Sequence, residues 1–303
     1  MLSYVLAFLA GLVNATGNVL NRKAARDEPD QAEFRLKLIT DLMHRKIWLV
    51  AVGLMIVSFA LAAAALGTGQ LASVQLVVVL ELPMTIIGGA LLLHTPLRTR
   101  EWVAIGALTA GVIGLLALLD PRPGPGKPIT PILWITMSTA NVALIVGLYL
   151  AARAHRKPAV RASLLGIACG LGYGLTAAYT KGMADAFNSG GIVAVFTTWT
   201  FYACVSAGVM SAFLLENAYQ AGPLTASQPG ITLVDPAIST TWGIVVFGET
   251  VNHGTLATLT ALPAAAVAAG VFLLSSSRVL RATQVGDGPA AATAPPAAGR
   301  SVR

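Results

Sequence analysis

"GQLASVQLVVVLELPMTIIGGALLL", residues 69–93, is an apolar stretch interrupted by one acid, Glu81, and one proline, Pro83. A second stretch, "GPLTASQPGITLVDPAISTTWGIVV" at 222–246, resembles it at a constant offset of 153. That offset pairs Gly69 with Gly222, Leu71 with Leu224, Gln75 with Gln228 and Pro83 with Pro236. A further match, at offset 159, aligns the opening segment with "CGLGYGLTAAYTKG" (169–182), setting Gly11 against Gly170 and Arg22 against Lys181. The longer loop after the first segment absorbs the difference between the two offsets. The chain therefore reads as two similar units, and the solvent around each unit decides the architecture.

Hydrophobic residues make up 55% of the 303 positions and charged residues only 11%. The mean hydropathy is +0.73. A soluble domain carries about 25% charged residues, and here the charges are bunched between long apolar runs. Runs of about 18 or more apolar residues are long enough to cross a bilayer. Nine are present, at 2–20, 47–66, 71–93, 101–119, 131–151, 162–180, 191–214, 222–247 and 255–275. The expected fold is an all-α polytopic membrane protein of about nine transmembrane helices.

Topology accounts for the net charge of +7, so nucleic acid is not an expected partner. With nine crossings, 17 of the 20 Lys and Arg residues fall on one side, leaving Arg122, Lys127 and Lys181 on the other. The positive-inside rule then sets the N-terminus outside and the C-terminus in the cytoplasm. The expected location is the plasma (cytoplasmic) membrane. Segment 31–46, "QAEFRLKLITDLMHRK", is too charged to span. Its Phe34, Leu38 and Leu42 recur every four positions, which suits either an amphipathic surface helix or a solvated loop. The Ala- and Pro-rich tail, 277–303, reads as disordered.

Residues 1–276 thus form one membrane domain: four helices over 2–119, a linking helix at 131–151, and four more over 162–275. The first unit begins outside and the second, five crossings later, begins inside. The two are inverted relative to each other, an architecture of secondary transporters whose site lies near the midplane.

The segment "AYQAGPLTASQPGITLVDPAISTTWGIVVFGET" (218–250) resembles the penultimate-helix signature of the drug/metabolite transporter (EamA-like) superfamily, with its Gly-Pro start, mid-helix proline and terminal Gly-Glu. The first-half counterpart ends "LLLHTPLRTREW" and lacks the terminal Gly-Glu. Nine helices with the N-terminus outside are similar to the NIPA-like magnesium transporter branch. The resemblance implies a transporter, with Mg²⁺ the substrate suggested by that branch.

Glu81 and Asp235 sit at the midpoints of their spans, where a carboxylate costs about 2.5–3.5 kcal/mol to insert. Pro83 and Pro236 cannot donate to the carbonyls of Val79 and Thr232, so each acid is expected beside a broken helix with free carbonyl oxygens. Pro229 adds a further break in the second stretch. Oxygen-rich sites suit hard cations, which makes Glu81 and Asp235 the candidate metal-contacting pair, and adjacent acids can also share a proton. The bland alternative makes each acid a structural partner for an Asn or Tyr on a neighbouring helix. Asp235 aligns with Leu82, so the two carboxylates point about 100° apart in their respective units.

Asn14, Asn18 and Asn21 lie on one helical face at i, i+4 and i+7, and in lipid such a face must meet protein or water. Asn14 and Asn18 read as cavity lining or as interhelical hydrogen bonds, and Asn21 as a cap at the helix end. Tyr173, the repeat equivalent of Asn14, reads as a third substrate contact, with Trp199 and Trp242 as further aromatic walls. Gln75 and Gln228, at matched positions, read as gates or as helix contacts. Glu249 and Glu216 read as interfacial charges, and Trp102, Trp134 and His253 as interface anchors. "GLGYG" at 170–174 reads as close helix packing, and the face of Gly106, Ala110 and Gly114 as packing within or between chains, so a homodimer is one option. Cys169 and Cys204 read as buried, inert thiols.

No HExxH, GxSxG, Walker or CxxC motif is present, and the four histidines form no ligand pattern. The sequence therefore argues against an enzyme and calls for no cofactor. Three functions compete: a secondary transporter of Mg²⁺ or another divalent cation working by alternating access, a proton-coupled exporter of a small organic metabolite or drug, and a non-transporting membrane scaffold.

Overall fold

The computed structural model describes residues 1–26, 46–92, 96–124, 130–252 and 259–277. Among these the chain is helical: α1 (Leu2–Arg26), α2 (Lys46–Thr68), α3 (Leu71–Val78), α4 (Glu81–Leu92), α5 (Thr99–Leu119), α6 (Pro131–Ala154), α7 (Pro158–Thr197), α8 (Trp199–Ala221), α9 (Leu224–Val245) and α10 (Ala261–Ser275). No strand occurs among the described residues. An isolated antiparallel bridge joins Arg122 to Thr250. The segment expected to be a surface helix or loop and nearly all of the tail lie outside the described residues, as does the Asn21 side chain.

Among the described residues six stretches are long and apolar enough to cross a membrane: Leu49–Thr68, Leu71–Leu91, Thr99–Leu119, Pro131–Ala154, Pro158–Thr197 and Trp199–Ala221. Leu2–Asn18 and Ala261–Ser275 are apolar but shorter. Large apolar side chains face outward along these helices, Ile56, Val103, Ile132 and Val209 among them, as expected where lipid is the solvent. The protein is an all-helical integral membrane protein.

Local chemistry sets the helix boundaries. Pro131 and Pro158 open α6 and α7, where a missing N–H costs nothing. At the start of α5 the Glu101 carboxylate accepts the Arg98 N–H at 2.9 Å. The α7 boundary departs from expectation. Residues 181–190, expected to be a loop, continue the helix, because nothing in "KGMADAFNSG" breaks it. The break falls at Gly191, whose φ of +66° suits glycine and strains other residues. The next helix consequently runs over Trp199–Ala221 instead of 191–214.

By sequence the helices fall into two groups, α1–α5 (the first half) and α7–α10 (the second). In the first half α1 packs on α2, α3 and α4. In the second, α7 packs on α8 and α9. The groups meet where α5 packs on α10 and α3 on α9. Small residues allow these approaches. On α7, Gly166 and Gly170 face α9; a Cβ at Gly170 would lie 2.8 Å from the Gly230 carbonyl oxygen and 2.9 Å from the Val234 Cβ. Gly172, on the opposite side of α7, faces Ser211 of α8. "GLGYG" is thus a two-sided packing surface, as its composition suggested. Between α5 and α10 the contact runs through Gly111, against Pro263 and Val267, and Gly270, against Ala104 and Leu108. Gly114 also meets Pro263, whereas Gly106 has no neighbour within 4 Å.

Gly170→Val is expected to destabilise the protein by about 1–3 kcal/mol through overpacking. Gly208→Ala, with nothing within 4 Å of its Cβ position, should leave stability unchanged or raise it. Thermal unfolding in detergent compares the two.

Candidate functional site

Glu81 owes its position to a break in the helix. α3 ends at Val78 and α4 begins at Glu81, two residues before Pro83. The turn closes with tight bonds: Leu80 N–H to the Val77 carbonyl at 3.0 Å, Leu82 N–H to Val79 at 3.3 Å, and Met84 N–H to Leu80 at 3.2 Å. The expected break is present, but the Val79 carbonyl is not free, because the Leu82 amide takes the place of the one Pro83 lacks. The Glu81 carboxylate then sits at a helix N-terminus, which favours negative charge.

α1 runs directly past this point. A Cβ at Gly11 would lie 3.7 Å from the Glu81 Cβ. One turn further along, Asn14 Nδ2 donates to Glu81 Oε1 at 2.7 Å, and Asn18 Nδ2 donates to the same oxygen at 3.2 Å. The polar face of the opening helix therefore serves this acid. Of the two readings of these asparagines, the interhelical hydrogen bond is the one observed.

Asp235 has a different setting. α9 runs unbroken from Leu224 to Val245 with Pro229 and Pro236 inside it. The expected breaks at these prolines are absent: each proline removes one backbone bond, and close packing on α7 keeps the helix continuous. Asp235 Oδ1 accepts the Ser239 hydroxyl one turn on, at 3.2 Å. On α7, Gly174 lies against the Asp235 carbonyl and Ser239. Leu80 and Leu82, on either side of Glu81, belong to the same apolar cluster as Leu233, two residues before Asp235, and Tyr173 shares another with Val234, next to Asp235. Glu81, bonded to Asn14 and Asn18 of α1, and Asp235, on α9 beside α7, thus border one shared apolar cluster.

Other candidates make contacts of their own. Gln228 bonds within its own helix, Nε2 to Thr232 Oγ1 at 3.3 Å, and Gln75 is buried in α3. Trp199 and Trp242 do not join Tyr173 as aromatic walls. They pack around Trp134, at ring-centroid distances of 5.0 and 5.4 Å, with Tyr179 and Phe247. Trp134, expected as an interface anchor, is only 9% exposed and is the hub of this cluster, whereas Trp102 is exposed, as an anchor should be. The Cys169 thiol is buried and faces the Ser211 carbonyl at 3.5 Å, and Cys204 is also buried, in keeping with inert thiols. Among the described residues no group of three or more His, Cys, Asp or Glu is placed to hold a metal ion.

Three residues gain a role that the sequence did not reveal. Glu249 is 4% exposed, not an interfacial charge: its carboxylate accepts the Leu71 N–H at 2.5 Å and the Ala72 N–H at 3.1 Å. Burial pushes this carboxyl up from its ordinary value, while the two amides and Lys181 pull it back down. Lys181 Nζ donates to the carbonyls of Leu66 at 3.1 Å and Gly69 at 3.0 Å, and Asn188 Nδ2 donates to Gly67 at 2.8 Å. The available signals were the terminal Gly-Glu and the match of Lys181 to Arg22.

The chain is 27% identical, over 82% of its own length and 86% of the other's, to an uncharacterised protein of Corynebacterium glutamicum. No family model matches the chain, and no solved structure matches it.

A double-mutant cycle on Asn14→Ala and Glu81→Ala should give a coupling of about 0.6–1.7 kcal/mol, the range for hydrogen bonds between membrane helices. Unfolding of the four proteins in mixed micelles measures it; zero coupling would remove the Asn14–Glu81 bond from the site.

Proposed function

We propose that the protein is a secondary transporter that moves a small hard cation, Mg²⁺ first, by alternating access of two inverted four-helix repeats around Glu81 and Asp235. The observation that carries this reading is that two acids within apolar helices, one from each half, have sequence neighbours packed in one shared cluster between helices. The residues there offer oxygen ligands: two carboxylates, the Tyr173 and Ser239 hydroxyls and, with their amides turned, the carbonyls of Asn14 and Asn18. A Mg²⁺ ion keeps several of its waters and needs only one or two carboxylates from a protein. The resemblance to the drug/metabolite transporter superfamily and its NIPA-like branch supports the same assignment.

Two contacts support the repeat. Gly11 packs on Glu81 and Gly170 packs on Val234. Adding 159 to the first glycine and 153 to Glu81 converts the first contact into the second. Nine crossings, with the N-terminus outside and the C-terminus in the cytoplasm of the plasma membrane, follow from the charge distribution. The second reading, a proton-coupled exporter of a small organic solute, draws on Tyr173 beside the acids and on the small number of metal-ligating side chains.

Proteoliposomes containing the wild-type protein should take up Mg²⁺ above the rate of empty liposomes. Glu81→Gln combined with Asp235→Asn should bring uptake back to that rate. Full uptake by the double variant would displace the site. No uptake by folded, inserted wild-type protein would reject the cation and leave the organic-solute exporter, tested next by proton exchange.

A further inference from the structure

The corner where α2 turns into α3 presents the ends of two helices, whose last carbonyls and first amides have no partner within their own helix. Side chains from the second half take them up. Lys181, a cation, holds the carbonyls of Leu66 and Gly69 at the negative end of α2, and Asn188 holds that of Gly67. Glu249, an anion, holds the amides of Leu71 and Ala72 at the positive end of α3. Lys181 also lies 5.4 Å from the centre of the Phe247 ring and 3.9 Å from Asp185. Each of these hydrogen bonds runs from a second-half side chain to first-half backbone.

This pattern differs from the rest of the molecule. The bonds that hold the two acids stay within one half: Asn14 and Asn18 to Glu81 in the first, Ser239 to Asp235 in the second. Ser163, near the start of α7, donates to the Ala226 carbonyl at 3.0 Å, again within the second half. The α5–α10 seam crosses between halves but is fastened at both ends. Arg122 and Thr250 exchange backbone bonds, and the Asn252 N–H reaches the Leu119 carbonyl at 2.9 Å. At the other end of the seam Ser277 donates to Glu101, and Arg100 reaches Ser276 at 3.3 Å. A seam tied at both ends suits a pivot. The α2–α3 corner, held across the halves by side chains that can swing away from fixed backbone, suits a part that parts from its neighbour.

We propose that Lys181, Asn188 and Glu249 form a gate, closed in this structure, that shuts one end of the path to the Glu81–Asp235 site and opens by releasing the α2–α3 corner. The assignment rests on the transporter reading above, under which this end faces outside the cell. A static helix cap would use the same bonds but would never let go, so the test must ask whether the corner moves.

A Cβ at Gly67 would lie 3.3 Å from the Ala184 Cβ, close to the 3.5–4.5 Å of a disulfide. In the full chain carrying Gly67→Cys and Ala184→Cys, oxidation should cut Mg²⁺ uptake to the rate of empty liposomes and a reductant should restore it. Neither single variant should respond. Uptake that persists at the reduced rate, with the cross-link verified by mass, would overturn the gate.

A second readout needs no substrate. The Gly67→Cys thiol should react with a membrane-impermeant maleimide about tenfold faster when Lys181→Gln removes two of the bonds. Faster labelling without wild-type Mg²⁺ uptake would keep the gate and reject the cation. An unchanged labelling rate in the folded variant would overturn the gate whatever the substrate.

Discussion

A helix end inside a membrane protein leaves amides and carbonyls that no water is present to satisfy. This constraint organises the unusual features of the molecule. In the first half the α2–α3 corner leads into the third crossing, which breaks at Val79–Leu80, and both places expose helix ends. At Val79–Leu80 the chain repairs itself with short-range backbone bonds. At the corner it cannot, and Lys181, Asn188 and Glu249 are supplied from more than 110 residues away. The start of α4 receives a third solution, an acid of its own, which then needs the Asn14 and Asn18 amides because a carboxylate is costly in lipid.

Close approach is the second requirement, since lipid gives apolar side chains little reason to prefer one another and packing must supply the cohesion. The glycines of α7 meet that need on two sides, with Gly166 and Gly170 toward α9 and Gly172 toward α8. The resulting contact explains why two internal prolines leave α9 unbroken while a single proline accompanies a break in the first half. α9 is held along α7 by backbone-to-backbone proximity, and Gly170 approaches the Gly230 carbonyl itself. By contrast, α1 meets α4 through side chains at Gly11 and Glu81, a looser contact that tolerates a turn in the chain.

Much of the architecture was legible in the sequence because lipid imposes a simple rule: apolar runs separated by charges. Each apolar run contains a described helix, and the polar face of the opening helix pointed to a buried partner. The failures have a common cause. "KGMADAFNSG" falls between two apolar runs, yet it continues a helix, and its Lys181 and Asn188 bond backbone carbonyls at the end of another. Glu249 looked like surface charge for the same reason. Backbone partners leave no trace in sequence, since any residue at Leu66, Gly67, Leu71 or Ala72 offers the same carbonyl or amide. Trp134 was misplaced because position at a helix end resembles an interface anchor, whereas the four aromatic rings that surround it come from later in the chain.

The two acids differ in attachment, and that difference bears on how the proposed transporter works. Glu81 is fixed by two amides of α1 on a single oxygen, so it travels with α1 and α4 as one unit. Asp235 is fixed by Ser239 of its own helix and travels with α9. Neither attachment crosses between the halves. A relative rotation of the halves about the α5–α10 seam would leave every one of these bonds intact while changing the distance between the two carboxylates. The separation of Glu81 and Asp235 is therefore the quantity that the moving parts set, and a bound cation is the chemical species best suited to bridge the two acids when they approach, because it cancels the repulsion that otherwise opposes their meeting.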